Sequence, residues 1–483
     1  MTQTPRQLAF EALRSIHRGA FADVELDRIQ RQSTLSPVDR RFLTQLVYGV
    51  VRRQRTLDAL IDQLGKKSSQ QQPPDLRLIL HLGLYQLRYF THVPVSAAVN
   101  TSVDLAKQNG FAKLAGVVNG ILRQYVRLTG NENATSEVAL AESKAGVMGT
   151  VGEQEDRAIA QSSATSPAWT DPLKLPADPV QRLGVLHSYP DWIVDVWLHQ
   201  FGVEETEKLC EWLNQPPAID LRVNVLKATV EQVQQAMADA GIQTQPIAGL
   251  PQALRLLDNP GNIQELPGFA AGWWMVQDGS AQLVSHLLDP QPGETVIDAC
   301  AAPGGKTIHI AELMGDQGIV WACDKTPSRL RKLRQNCDRL EIHSVHIRTG
   351  DSRTFDEFTN QGDRVLVDAP CSGLGTLHRH ADARWRQTPE TVAELTQLQT
   401  ELLNQAATWV KSGGILVYAT CTLHPAENEQ QIEKFLATHP DWRLQPPAPT
   451  SPATPTVTLQ GWCKVLPHHH QMDGFFMARL TRS

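Results

Sequence analysis

Positions 298–307 read Asp298-Ala299-Cys300-Ala301-Ala302-Pro303-Gly304-Gly305-Lys306-Thr307. A short apolar segment, 295–297, precedes this stretch, and an apolar-periodic segment, 308–314, follows it. The order predicts a strand, a turn of small residues and a helix, which together form the first unit of an α/β cofactor site. Two adjacent glycines would let backbone N–H groups approach a ligand, and the helix N-terminus would favour a carboxylate. Because the spacing matches neither Gly-x-Gly-x-x-Gly nor a Walker motif, neither a dinucleotide nor a triphosphate is favoured.

Two later cysteines each follow an apolar run that predicts a buried parallel strand. Cys371 stands in Asp368-Ala369-Pro370-Cys371-Ser372-Gly373 after residues 365–367, and Cys421 stands in Ala419-Thr420-Cys421-Thr422 after 415–418. Helical periodicity over 388–411 joins the two strands into a βαβ unit. Open α/β sheets bind ligands at the carboxyl ends of their strands, so both thiols are expected close together beside the cofactor turn. A single cysteine is usually a small buried apolar residue, but two cysteines that each follow a parallel strand favour a catalytic role.

The cofactor turn, the Pro-Cys motif and the Thr-Cys motif together resemble those of the RsmB-type RNA cytosine-5 methyltransferases. The resemblance spans nearly the whole chain and implies S-adenosyl-L-methionine as cofactor and 5-methylcytosine in small-subunit ribosomal RNA as product. The chemistry needs a thiolate, because carbon 5 of cytosine is a poor nucleophile until a thiolate adds to carbon 6. The activated ring then attacks the methyl group, a base removes the proton at carbon 5, and the thiol leaves.

The spacing of the two cysteines does not identify the nucleophile. DNA cytosine methyltransferases use the cysteine of a Pro-Cys motif, which corresponds to Cys371. The resemblance to the RNA family points instead to the Thr-Cys cysteine, Cys421. On that resemblance alone, we take Cys421 as the nucleophile and Cys371 as the residue that assists product release.

Three successive predicted strands end in an aspartate. Asp324 follows 319–323 and could accept both ribose hydroxyls, while Asp351 follows 344–347 and could reach the adenine amino group. Asp368 could contact the ammonium group of the cofactor or the cytosine, and Lys306 would serve one of the same two groups. Helix caps and loop carboxylates are the alternative roles of such aspartates. The resemblance assigns the cofactor site to Cys300, Ala301, Ala302, Pro303, Gly304, Gly305, Lys306, Asp324, Asp351 and Asp368.

Composition favours an enzyme of several domains. The chain has 483 residues and 7 cysteines, which are scattered and form no Cys-x-x-Cys pair, so neither a disulfide framework nor a zinc cluster is predicted. No apolar stretch would cross a bilayer, and residues 1–20 lack a signal-peptide core. We therefore expect a cytoplasmic monomer without a metal or a membrane partner.

His468-His469-His470 has no Cys or carboxylate cluster near it in the sequence, so a loop before the last strand is predicted there.

Charge separates the N-terminal part from the rest. Residues 1–130 hold 18 Lys and Arg against 9 Asp and Glu, a net +9, which leaves −15 for the remainder of a chain whose total is −6. Such a basic segment is typical of a nucleic-acid-binding module, although solvated arginines would give the same count. Helices are predicted at 6–17, 37–64, 75–90, 96–108 and 111–128. The motifs His92-Val93-Pro94-Val95 and Val118-Asn119-Gly120-Ile121-Leu122 resemble the RNA-binding antitermination factor NusB.

The predicted fold is a Rossmann-like α/β methyltransferase core preceded by this helical domain and a small α+β subdomain. Four segments are expected: a NusB-like domain at 1–130, a low-complexity linker at 131–176, the α+β subdomain at 177–270 and the catalytic domain at 271–483. The subdomain contains a strand at 220–224 and a helix at 229–240. Trp273 and Trp274 follow it directly, and we place them in a core rather than in a base-stacking surface. The alternatives in function are the same chemistry on transfer RNA and a non-catalytic RNA-binding factor.

Overall fold

A computed structural model describes residues 4–130, 171–257 and 261–483. The chain forms two compact units, of which one comprises the residues up to Asp195 with His380–Asp382 and the other comprises Val196–Arg379 with Ala383–Ser483. Most of the predicted linker, 131–170, lies outside the described residues. Its last residues, 171–176, are described, and Asp171 there forms an ion pair with Arg88 at 2.6 Å. Within the described ranges, no helix has the length and apolar content needed to cross a membrane.

The first unit is helical, as predicted. Its helices are α1 (Pro5–His17), α2 (Ala22–Gln32), α3 (Pro37–Leu64), α4 (Pro74–Tyr89), α5 (Val95–Gln108), α6 (Ala115–Thr129) and α7 (Pro179–His187). Helix α3 starts as its sequence indicates, since Ser36 accepts a hydrogen bond from the backbone N–H of Asp39 and Pro37 fills the first turn. The sequence analysis missed α2. Its apolar stripe is interrupted, because Val24 is 62% exposed while Leu26 and Ile29 are buried.

The second unit contains the predicted α+β subdomain. Helix α8 (Asp191–Trp212), which begins in the first unit and is interrupted at Gly202, precedes a four-stranded antiparallel sheet. The strands are β1 (Ile219–Val223), β2 (Thr244–Pro246), β3 (Ala253–Leu256) and β4 (Trp274–Val276), in the order β2-β3-β1-β4, with α9 (Val230–Asp239) beside them. Trp274 is fully buried and its indole N–H donates to the carbonyl of Pro267 at 2.7 Å. Trp273 packs against the same core, so both tryptophans are core residues in this structure.

The second unit also contains an eight-stranded sheet, the core sheet, in which the order of the strands reverses at its centre. The strands are β5 (Thr295–Asp298), β6 (Ile319–Asp324), β7 (Val345–Thr349), β8 (Gly362–Asp368), β9 (Val410–Thr420), β10 (Trp442–Leu444), β11 (Cys463–Val465) and β12 (Phe475–Arg482). Their order is β10-β12-β9-β8-β5-β6-β7, with β11 on β12. Strands β5 to β9 are parallel, and β12 is antiparallel to β9. The reversal between β5 and β8 creates a switch point, where such sheets bind ligands.

Helices cover both faces of this sheet. The helices of the core are α10 (Gly279–Leu288), α11 (Gly305–Leu313), α12 (Pro327–Leu340), α13 (Ala383–Arg386), α14 (Pro389–Trp409), α15 (Glu429–Thr438) and α16 (Pro467–His470). Buried residues of α10, α11 and α12 share one apolar core, and buried residues of α14 and α15 share the other. Side chains of one strand point alternately to the two faces, so Val296 and Ile297 enter different cores.

One prediction near the C-terminus was wrong. Residues 467–470 form the short helix α16 rather than a loop, because Pro467 starts a helical turn and the N–H of Gln471 closes it on the carbonyl of Pro467. The first α-helix after Cys421 is α15, which begins at Glu429 with Asn428 at its N-cap.

Candidate active site

The cofactor turn lies between β5 and α11. Gly304 is the N-cap of α11 and has a φ of 110°, a conformation that side chains other than glycine rarely adopt. A Cβ atom on Gly304 would also lie 2.8 Å from the Cγ atom of Leu333, so both backbone and packing require glycine there. Pro303 is exposed, whereas Ala301 and Ala302 are buried under the turn.

The buried carboxyl group of Asp298 stabilises the turn by hydrogen bonds. Asp298 accepts hydrogen bonds from the N–H of Cys300 at 3.2 Å and from the hydroxyl of Thr307 at 2.7 Å. Its burial outweighs these hydrogen bonds and raises the pKa of Asp298 to about 7. Asp298 therefore joins the start and the end of the turn, a role that the sequence analysis did not assign to it.

A cavity of about 270 Å³ opens at the carboxyl ends of the central strands. Its lining residues are Ala299, Cys300, Ala302, Lys306, Asp324, Lys325, Arg329, Gly350, Asp351, Ser352, Arg353, Asp368, Ala369, Pro370, Cys371, Leu398, Leu402 and Cys421. Eight of the twelve residues predicted for the site line this cavity, and the other four, Ala301, Pro303, Gly304 and Gly305, belong to the turn beside it. The basic residues Lys325, Arg329 and Arg353 were not predicted.

Two of the predicted aspartates also stabilise local backbone. Oδ1 of Asp324 accepts from the N–H of Thr326 at 2.7 Å, and Arg329 lies 3.4 Å from Oδ2. Asp351 caps the short helical turn 352–354 and pairs with Arg353 at 2.6 Å. The hydrogen bond from Arg353 lowers the pKa of Asp351. The capping role that the sequence left open thus exists at Asp351, while its position in the cavity wall keeps the binding role available.

Lys306 and Asp368 form an ion pair inside the cavity. Their Nζ and Oδ2 atoms are 2.7 Å apart, and Nζ also lies 5.0 Å from the centre of the Phe475 ring. Burial alone would lower the pKa of Lys306, but the attraction of Asp368 outweighs it and the pKa is raised. The lysine is therefore a fixed positive charge at neutral pH.

The two cysteines meet as their positions after β8 and β9 predict. The Sγ atoms of Cys371 and Cys421 are 3.4 Å apart. The hydrogen bond with Cys421, together with burial, raises the pKa of the Cys371 thiol well above its usual range. Two thiols at this separation cannot both be ionised without strong repulsion, so the pair favours at most one thiolate at a time.

Glu427 ties the two cysteine loops together. One oxygen of its carboxyl group accepts from the N–H of Ser372 at 2.9 Å and from the side-chain amide of Gln399 at 2.9 Å, and the other oxygen accepts from the Ser372 hydroxyl. The Ser372 hydroxyl also bonds to that of Thr422 at 2.7 Å. Glu427 is fully buried, and its position holds the loop after Cys371 against the loop after Cys421. Glu427 was not predicted as a site residue, because nothing in the sequence indicates its partner Ser372.

Three family models together match most of the chain. Residues 285–481 match the family described as 16S rRNA methyltransferase RsmB/F, residues 3–127 match the NusB family, and residues 189–264 match the ferredoxin-like domain of RsmF/B-like methyltransferases. These matches confirm the predicted fold class.

Relatives extend over the full length of the chain. The chain is 50% identical to a probable ribosomal RNA small subunit methyltransferase B of Synechocystis sp., over 99% of both chains. It is 34% identical to a protein of the same description from Bacillus subtilis, over 99% of this chain and 98% of the relative. A crystal structure of a methyltransferase homologue from Pyrococcus horikoshii matches with a TM-score of 0.56 and 31% identity, over 64% of this chain and all of the other. The resemblance predicted from the motifs is confirmed.

Proposed function

The chain belongs to the RsmB/F family of 16S ribosomal RNA methyltransferases, and we propose that it methylates carbon 5 of a cytosine through a covalent cysteine intermediate. The methyl donor is S-adenosylmethionine. The observation that carries the proposal is the pair of thiols 3.4 Å apart in the cavity beside the cofactor turn. Methyl transfer to an amino nitrogen or a ribose oxygen needs a base but no nucleophilic thiol, whereas transfer to carbon 5 needs both.

The cavity provides a place for each part of the cofactor. Asp324 would accept the ribose hydroxyls, and Asp351 would reach the adenine amino group from the neighbouring strand end. The N-terminus of α11, whose first backbone N–H groups have no partner within the helix, suits the carboxylate of the methionine part. The methyl group would then face the thiol pair and the ion pair of Lys306 and Asp368.

The proposed reaction begins when Cys421 adds to carbon 6 of a cytosine turned out of its stack. Electrons shift into the ring, and carbon 5 displaces the methyl group from the sulfonium, which releases S-adenosylhomocysteine. A base takes the proton from carbon 5, the ring regains its double bond, and the Cys421 sulfur leaves as thiolate. In this proposal Cys371, whose Sγ atom lies 3.4 Å from that of Cys421, gives the departing thiolate a proton.

The reaction itself is tested with small-subunit ribosomal RNA that carries tritium at carbon 5 of its cytosines. Carbon-5 methylation must release that tritium into water in step with methyl incorporation. Methylation without tritium release would place the methyl group on another atom and refute the proposal. Repeating the assay with transfer RNA decides whether the same chemistry has a second substrate.

Replacing Asp324 by alanine should weaken S-adenosylmethionine binding by about 10- to 100-fold, because two hydrogen bonds from ribose to a carboxylate are lost. Isothermal titration of the purified variant measures the effect, with thermal unfolding followed in parallel. Asp356→Ala, at an aspartate that does not line the cavity, is the control and should bind as the unchanged chain does. Equal affinities for both variants would remove Asp324 from the ribose site.

RNA affinity should depend on exposed cations of the first unit. Lys113, Arg123 and Arg127 are exposed, and among the described residues none of them forms an ion pair. Changing all three to glutamine should weaken RNA binding and reduce the slope of log affinity against log salt by roughly two to three. The control is Arg31→Gln with Lys107→Gln, since those cations already pair with Asp27 and Asp104. An unchanged slope in the triple variant would mean that these cations are only solvated surface.

A further inference from the structure

The histidine run at 468–470 lies beside a carboxylate that is remote in the sequence. Nε2 of His468 lies 3.0 Å, and Nε2 of His469 lies 2.7 Å, from the same oxygen, Oε2 of Glu205. Glu205 is on α8 and precedes His468 by 263 positions. A metal was not expected at these histidines because no Cys or carboxylate cluster is near them in the sequence, but folding brings Glu205 to them.

The three donor atoms converge closely enough to share one ion. All of them lie within 4.8 Å of one another. A tetrahedral zinc ion with bonds of about 2.0–2.1 Å separates its ligand atoms by about 3.3 Å. The two measured nitrogen–oxygen distances are a few tenths of an ångström shorter, so a small outward movement of the side chains would admit the ion. The His469 side chain is 51% exposed, which leaves it free to make that movement.

The donor set points to a particular class of metal. Two imidazole nitrogens and one carboxylate oxygen suit zinc, whereas magnesium and calcium prefer sites made of oxygen alone. We propose that Glu205, His468 and His469 bind one zinc ion, with water in the fourth position. This site lies outside the cavity that holds the two active-site cysteines, since none of its three residues lines that cavity.

A neighbouring lysine shares the carboxylate of Glu205 with the proposed metal. Lys208 contacts the other carboxylate oxygen, Oε1, at 2.9 Å, which leaves Oε2 to the metal but places a competing cation nearby.

A zinc ion at this position would link two parts of the second unit. Helix α8 would be joined to α16, and the chain from α16 leads directly into β12. Strand β12 pairs with β9. In this pairing Phe476 of β12 lies opposite Thr420 of β9, which is the residue before Cys421. His468 also lines a second cavity of about 380 Å³. The ion would stabilise the folded state by mass action. It would also restrain β12, the strand that pairs with β9 next to Cys421.

The test uses the full-length chain with Cys371→Ser and Cys421→Ser, because the thiol pair is itself able to bind zinc. Zinc affinity is measured by competition with a chromophoric chelator, and geometry by the visible absorption of bound cobalt(II). We expect one ion per chain and an increase in Tm on adding zinc. His469→Ala should lower the affinity by at least about 100-fold and abolish the Tm increase, because removing a ligand costs more than disturbing a group behind one.

Two further variants sharpen the result. His470→Ala is the matched control, since His470 bonds to the backbone of Leu466 instead of Glu205 and its loss should leave affinity unchanged. Lys208→Gln should raise affinity by about two- to five-fold by removing the competing cation. The proposal is overturned if the chain binds no zinc, or if binding is the same in His469→Ala as in His470→Ala. His469 is chosen as the deciding position because its side chain is half exposed, so we expect the variant to fold.

Discussion

Cys421→Ala should abolish methyl transfer and any covalent complex with RNA, because in the proposed mechanism no thiolate then remains to add to carbon 6. Cys371→Ala, in contrast, still allows addition and methylation but slows the elimination that frees the product. It should therefore accumulate a protein–RNA adduct that survives denaturing electrophoresis. Both effects are large, with losses of turnover of at least about 1,000-fold for a removed nucleophile.

The same pair of variants decides the order of the two thiols. An adduct that builds up in Cys421→Ala and is missing in Cys371→Ala would reverse the assignment and match the arrangement of the DNA enzymes. Full activity in both variants would refute covalent catalysis. Because the Thr-Cys motif around Cys421 resembles the one that carries the nucleophile in the RNA family, we expect Cys421 to attack and Cys371 to assist release.

Lys306→Met should lower the single-turnover rate of methyl transfer by about 100- to 1,000-fold. Addition of a thiolate to carbon 6 spreads negative charge over the cytosine ring, and Lys306 is a positive charge fixed by Asp368 within the same cavity. Its loss would also leave the Asp368 carboxylate without its partner. Rapid-quench measurement with saturating cofactor isolates this step from binding.

Lys325→Met is the matched control, since Lys325 also lines the cavity but its side chain is exposed. Its rate should fall by less than about three-fold, as is usual for an exposed charge. The affinity for S-adenosylmethionine, measured in both variants, separates the two roles that the sequence left open for Lys306. A collapse of cofactor affinity with a normal rate at saturation would assign Lys306 to the cofactor.

Much of the catalytic core was predictable because its signals are local. Each of the strands β5, β6 and β8 ends in an aspartate, and the helix between β8 and β9 has clear periodicity, so the sequence alone predicts that the two thiols meet. Helix α2 was missed because an exposed Val24 interrupts its apolar stripe. The element boundaries of the core differ from the predictions by a few residues, as helix ends usually do.

The parts that could not be predicted depend on contacts between distant segments. Glu427 reaches Ser372 across 55 positions, and Glu205 reaches His468 across 263. No periodicity or motif encodes such pairs, because they follow from how loops at the sheet edge and helices outside it pack. Asp351 was only partly predictable. The sequence is compatible with both a capping role and a binding role, and the structure contains the cap.

The close approach of the two sulfur atoms bears on how such enzymes could diverge. The loops that carry Cys371 and Cys421 leave neighbouring parallel strands, with Asp368 opposite Ala419. A target atom within reach of one sulfur is nearly within reach of the other, since they are 3.4 Å apart. A lineage could thus transfer the attacking role from one strand to its neighbour by changing a few residues around the thiols, with no rearrangement of the scaffold. Which cysteine attacks could then differ between lineages, while the sheet that carries both cysteines stays the same.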